Sequence, residues 1–259
     1  MGIARVLWTC AELTVTVGVV VLLLVVHQVW WTNREAVAAA RDQVRALESA
    51  WDAAKPSGPG PGPDPGVGEG EQAGAGGDPV VGAESVAPGT GTGTGTAPSR
   101  SVPGAVRAAP PPPASQAYAV LRIPALGLVV PVAQGVSKAA VLDKGYAGHY
   151  PGTAQPGAQG NFALAGHRNT HGEPFRYVNR LRAGDEIQVE TQGRRYTYVV
   201  DKVLAETTER DAGVIAPVPR SVVKPEYGYD EPGAYITLTT CTPEYTSKYR
   251  LVVWGKLKG

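Results

Sequence analysis

The chain has 259 residues, a formal net charge of +1 and 43% hydrophobic residues. That balance lacks the bulk positive charge of a nucleic-acid binder, so no nucleic-acid partner is expected. The apolar residues are unevenly placed, and only about 140 residues from Ala117 onward are able to form a core, enough for one domain.

Residues 1–33 read as a short tail and a transmembrane anchor. Leu13 to Trp31 is apolar apart from Thr14, Thr16, His27 and Gln28, which at about 1.5 Å per residue spans one hydrocarbon core. Trp30 and Trp31 suit the aromatic belt of a membrane interface. A cleaved signal peptide competes with this reading, with Ala36, Ala38 and Ala40 as small residues near a cleavage site. They lie beyond both tryptophans and the charged Arg34-Glu35 pair, which favours an uncleaved, single-pass anchor. Arg5 precedes the span while Arg34, Arg41 and Arg45 follow it, so a simple positive-inside count places the C-terminal side in the cytoplasm.

Residues 34–54 read as a helical stalk. Val37, Ala40, Val44, Leu47 and Trp51 recur at alternating three- and four-residue steps, a short a/d seam. With fewer than four heptads, a solvated stalk is favoured over a partner helix. Residues 55–115 form a Pro/Gly/Thr-rich linker expected to be disordered, because backbone entropy is high and apolar surface scarce. About 60 such residues span about 45 Å as a flexible coil and about 190 Å as polyproline II, so reach from a membrane is the expected role.

Residues 116–259 read as the one folded domain. Tyr118 to Ile123 is a strand stopped by Pro124; Leu128 to Val132 carries Pro131 and is therefore expected at an edge. Ser137 to Leu142 is expected as a short helix capped by Ser137. A loop from Gly145 to Gly160 leads to the apolar strand Asn161 to Ala165, and Glu173 to Leu181 is expected as another short helix. Glu186 to Thr191 and Arg194 to Val203 form a hairpin about Gln192-Gly193. Glu206 to Gly233 is a long polar connection, usually a functional feature in a compact domain. Ala234 to Thr242 and Tyr249 to Leu257 are the last strands. Short, evenly spaced strands with little helix predict an all-β antiparallel sandwich or closed barrel.

Cys241 ends the strand Ala234 to Thr242, where a thiol at a rim is within reach of a ligand. Its burial as a small hydrophobe is the alternative. Cys10 lies before the apolar run, so a membrane between the two forbids a disulfide. A cysteine nucleophile needs an acid–base partner and a group to hold the oxyanion. His167 ends an apolar strand between Gly166 and Arg168, whereas His149 and His171 sit in loops where an exposed histidine has no usual role. Arg250 opens the strand after Cys241, and its fork of donors reaches a carbonyl or carboxylate. The sequence lacks CxxC, HExxH, Walker and GxSxG patterns, and three scattered histidines with one cysteine make a poor metal set; no metal and no cofactor is expected.

Together these residues resemble a known family. Thr239-Thr240-Cys241-Thr242-Pro243 followed by Arg250-Leu251-Val252-Val253 and Gly255 is similar to the C-terminal signature of sortases. Gly166-His167-Arg168, with Pro174-Phe175 and Leu181 to Asp185 behind it, resembles their histidine strand, and His149 to Thr153 also fits. The Thr-Thr doublet and the proline two residues after the cysteine look most like class E sortases of high-GC Gram-positive bacteria. The resemblance implies an eight-stranded sortase-type β-barrel and a membrane-anchored cysteine transpeptidase. Such an enzyme cleaves an LAxTG- or LPxTG-like sorting signal between Thr and Gly through a thioacyl intermediate. It then joins the new C-terminus to a cell-wall amine. Implied partners are sorting-signal-bearing surface proteins, a peptidoglycan precursor or other amine acceptor, and the membrane through the N-terminal helix. Implied catalytic residues are Cys241, His167 and Arg250, with Thr240 and Tyr150 as substrate contacts, Tyr150 biasing the second signal position toward alanine. It also places the catalytic domain outside the cell, against the charge count. Thr242 departs from the family pattern, and the loops hold no acidic cluster for calcium.

The rivals are a sortase-like binding domain without turnover and an L,D-transpeptidase. The first requires a damaged triad, and all three residues are present. The second has its cysteine after a His-Gly pair, whereas Thr239-Thr240 precede Cys241. A papain-like peptidase has Cys before His, the reverse of this order.

Overall fold

The computed structural model describes residues 2–55 and 112–259. Residues 56–111, most of the segment read as a linker, lie outside the described residues. The rest consists of one long helix, α1 (Gly2–Ala53), and eight strands: β1 (Ala117–Ile123), β2 (Leu128–Gln134), β3 (Ala147–His149), β4 (Gly160–Ala165), β5 (Glu186–Thr191), β6 (Arg194–Thr208), β7 (Ala234–Thr242) and β8 (Tyr249–Leu257).

The strands close into a barrel in the order β1-β2-β3-β4-β7-β8-β6-β5. Most ladders are antiparallel, but β2 runs parallel to β3 and β4 parallel to β7. Alternation sorts the residues by face. Phe162, Leu164, Ile236, Leu238, Leu251 and Val253 join the interior cluster. Tyr235, Val252 and Trp254 pack in a second cluster with Val214 and Tyr229 of the long β6–β7 connection. That connection therefore roofs the outer face of β7 and β8. Buried Asp211 ties it down, accepting from Thr207 Oγ1 at 2.6 Å, Ser221 Oγ at 2.5 Å and the Val222 amide at 2.9 Å.

Several local expectations are corrected. β2 is not an edge strand, since β1 and β3 flank it. Pro131 is tolerated because the β3 ladder begins only at Val132, leaving no bond for its missing N–H to donate there. Ser137 caps a turn rather than a helix, its Oγ accepting from the Ala140 amide at 3.3 Å, and a 3-10 turn at Leu142–Lys144 follows. Glu173 to Leu181 likewise contains only turns and a 3-10 segment at Val178–Arg180. β3 forms inside the stretch expected as loop, held by His149 in the core.

The expected solvated stalk instead lies against the barrel. Ala36, Ala40 and Val44 of α1 are buried, and Ala40 joins Ala117, Ala133, Val141 and Tyr146 in a third cluster. The small side chains of Ala36 and Ala40 let the helix approach closely. The a/d seam is real, but its partner is the barrel wall. Asn33 Oδ1 accepts from the Gly172 amide at 2.6 Å, and Glu48 pairs with Arg122, which also reaches Glu190 at 3.2 Å. The described part of the barrel therefore packs directly on α1. Upstream, α1 has a window of mean hydropathy 2.4, long and apolar enough to cross a membrane, with Leu13, Leu22, Leu23, Leu24 and Trp31 exposed.

Candidate active site

Strand register brings the three expected catalytic residues together. Cys241 on β7 stands directly opposite Arg250 on β8. Opposed residues of an antiparallel pair project to the same face. On the other flank, β4 pairs with β7 through Ala165 and Thr239, and the Gly166 amide extends that ladder by donating to Thr239 O at 3.1 Å. Two residues on from that pair come His167 and Cys241, so period-two alternation gives them one face as well. This is the outer face of the wall, just beyond the rows roofed by the β6–β7 connection. All three residues, with Tyr150 and Thr240, line a cleft of about 680 Å³.

Local packing sets His167. A side chain at Gly166 would meet the Phe175 ring at 2.6 Å, so glycine is required for the chain to pass the fully buried Phe175. The Phe175 amide donates to His167 O at 2.9 Å, closing the loop between them. Thr240 donates its hydroxyl to Gly166 O at 2.8 Å, so this expected substrate contact holds the histidine segment. Thr239 donates to Leu164 O at 3.1 Å. Its oxygen is then left to accept from Tyr150 Oη, also at 3.1 Å, which fixes that ring on the cleft wall.

Two contributors were not anticipated. Asp143 Oδ1 lies 2.7 Å from His167 Nε2, an ion-pair geometry that orients the imidazole and leaves its other nitrogen without a hydrogen bond among the described residues. The carboxylate comes from the 3-10 turn after β2, and no sequence spacing linked it to His167. Arg168, which is buried, donates through Nη1 to Cys241 O at 3.2 Å and Thr242 Oγ1 at 2.8 Å, bracing the strand end that carries the thiol. Arg250 donates from Nη1 to Ser247 O at 2.7 Å and Tyr249 O at 3.0 Å, while its Nη2 is 3.7 Å from Glu209.

The other two histidines of the domain separate sharply. His149, expected in a loop, is fully buried. Its Nε2 donates to Ala154 O at 3.1 Å and its Nδ1 lies 2.8 Å from Tyr118 Oη. Burial holds its pKa down at about 4, so it is a neutral structural group. Burial also pushes the Tyr118 phenol well above its ordinary range, keeping a proton to donate to His149. His171, by contrast, stacks on His167 with ring centroids 5.3 Å apart.

The chain matches the sortase domain family across residues 121–258. It is 41% identical over 251 residues to sortase SrtE1 of Streptomyces coelicolor, covering 95% of this chain and 55% of that protein. Sortase SrtE2 of the same organism is 31% identical over 251 residues, covering 95% of this chain and 79% of that one. Among solved structures, sortase E1 from Streptomyces coelicolor with a tripeptide in its active site superposes with a TM-score of 0.52 at 51% identity. That match covers 56% of this chain and 90% of the other. This chain therefore spans about half the length of the first of these relatives.

Proposed function

The chain belongs to the sortase family and is close to its class E members, and from that premise we propose that it is a membrane-anchored cysteine transpeptidase acting on an LAxTG-like sorting signal. The observation that carries this reading is the register pairing of Cys241 with Arg250, with His167 at the end of the neighbouring strand, all on one cleft.

In the proposed reaction the Cys241 thiolate attacks the carbonyl carbon between Thr and Gly. Arg250 faces the developing oxyanion with the planar fork of its guanidinium donors. As the tetrahedral adduct collapses, the C–N bond breaks and His167 gives a proton to the departing glycine amine. A thioester remains on Cys241. An acceptor amine then attacks the thioester, His167 takes up its proton, and the thiolate leaves. A positioned acid–base group of this kind adds about 10²- to 10⁴-fold in rate. Asp143 acts through His167, holding the ring at Nε2 so that Nδ1 serves the reaction. Tyr150 narrows the cleft beside Thr239, the basis for proposing alanine at the second signal position. A cleft of about 680 Å³ accommodates a short extended peptide.

α1 is proposed as an uncleaved single-pass anchor, residues 1–33, continuing through 34–54 onto the barrel, with residues 116–259 as the extracellular catalytic domain. Clients are proposed to be surface proteins bearing the signal, and the acceptor a cell-wall amine. The test is incubation of the full chain in detergent with an LAxTG peptide and triglycine, followed by mass spectrometry. Expected products are the peptide cut after Thr and its amide with triglycine, both abolished in Cys241→Ala. Cleavage elsewhere, or cleavage that survives Cys241→Ala, contradicts the reading. Protease digestion of intact protoplasts tests the orientation, and full protection of the barrel refutes an extracellular placement.

A further inference from the structure

We propose that Asp143, His167 and His171 form a binding site for a divalent transition-metal ion such as Zn²⁺, which on binding withdraws His167 from catalysis. Their donor atoms all lie within 4.8 Å of one another. His167 Nε2 is 2.7 Å and His171 Nδ1 3.7 Å from the same Asp143 oxygen. A tetrahedral ion with bonds of about 2.0–2.1 Å separates its ligand atoms by about 3.4 Å. The two observed distances bracket that value, so small side-chain shifts admit the ion. Two imidazoles and one carboxylate are a donor set suited to Zn²⁺, with a fourth position left for water.

The state of His171 supports the same reading. Its Nδ1 is buried and, among the described residues, makes no hydrogen bond, which leaves that nitrogen open to a metal bond. The backbone there is also strained: His171 and Glu173, neither of them glycine, have φ of 51° and 49° on either side of Gly172. The loop is held in that form by Asn33 of α1, which accepts from the Gly172 amide. α1 thus fixes the imidazole beside Asp143. His167 is both ligand and proposed acid–base group, so a metal bond at Nε2 takes the place of the Nε2 proton, leaves no imidazolium to give a proton from Nδ1, and breaks the direct contact with Asp143.

The binding half stands on geometry alone, whereas the inhibitory half rests on the catalytic reading given above. The experiment is calorimetric titration of the full chain in detergent with Zn²⁺ alone, on wild type and on Cys241→Ser, His171→Gln and Asp143→Asn. The expected result is one ion per chain, undiminished in Cys241→Ser and weakened at least about tenfold in each of the other two. Zn²⁺ should also raise the melting temperature of wild type and not that of His171→Gln, which guards against a variant that simply misfolds. Absence of binding in wild type, binding lost in Cys241→Ser, or binding unchanged in both other variants overturns the site. In the peptide-cleavage assay Zn²⁺ should inhibit with the midpoint of binding and EDTA should reverse it. Stoichiometric binding with undiminished turnover overturns the inhibitory half and leaves the site standing.

Discussion

His149 gives a prediction whose size follows from its surroundings. The folded barrel keeps it neutral, with a pKa of about 4 set mainly by burial. The unfolded chain restores a value near 6.5. Between those limits the unfolded state binds the proton and the folded state does not, so stability is full above pH 6.5 and falls as pH drops. The gap corresponds to about 2 kcal/mol lost by pH 5 and about 3 kcal/mol by pH 4. That is a large share of a typical domain's stability of about 5–15 kcal/mol. The assay is urea unfolding of wild type and His149→Gln at pH 7.5, 5 and 4. The variant should start lower at pH 7.5, because it disturbs the contacts to Ala154 and Tyr118. Its decline toward pH 4 should then be shallower by about 3 kcal/mol. Parallel pH profiles in the two proteins would refute the neutral, buried histidine.

Further predictions concern the residues around the cleft and the helix seam. Asp143→Asn should lower kcat for signal cleavage about tenfold, the worth of one partly exposed charge-assisted bond, with KM changed less than about twofold. A loss confined to KM would contradict a positioning role. Arg168→Met removes both bonds to the Cys241–Thr242 backbone and hydroxyl. It should cost about 2–4 kcal/mol in urea unfolding, and an unchanged midpoint would show that the brace is idle. Ala40→Glu puts a carboxylate into the α1–barrel seam. It should release the helix from the barrel, read as faster proteolysis between residues 34 and 54, at a cost of about 2–3 kcal/mol. Tyr150→Ala should raise the preference for LPxTG over LAxTG peptides, measured as a ratio of kcat/KM.

Strands dominated by local pattern are legible in the sequence. Glu186 to Thr191, Ala234 to Thr242 and Tyr249 to Leu257 form strands with the expected ends, because β-branched and aromatic runs between turn residues leave little choice. β3 was not legible: three residues carry no periodicity, and the strand exists only because β2 and β4 flank it. The α1 seam was visible as a seam, but nothing in its spacing told a barrel wall from a second helix. Asp143 illustrates the same limit at the site. Its contact with His167 crosses 24 positions and depends on β2, β3 and β4 being adjacent. In the sequence His171 is an ordinary loop residue, yet the turn around Gly172 returns it to stack on His167. Cys241, His167 and Arg250 stand out by their resemblance to a family signature, and they come together because each lies at or just beyond a strand end where adjacent strands meet at one rim.

The most direct measurement is a covalent trap. The full chain is mixed with an LAxTG peptide, quenched in acid within one turnover, and digested for peptide mapping. The expected result is an acyl adduct ending in the signal threonine on Cys241, accumulating when no amine acceptor is supplied and discharged when triglycine is added. Peptide cleavage with no adduct on Cys241, or an adduct on Cys10 instead, would contradict it.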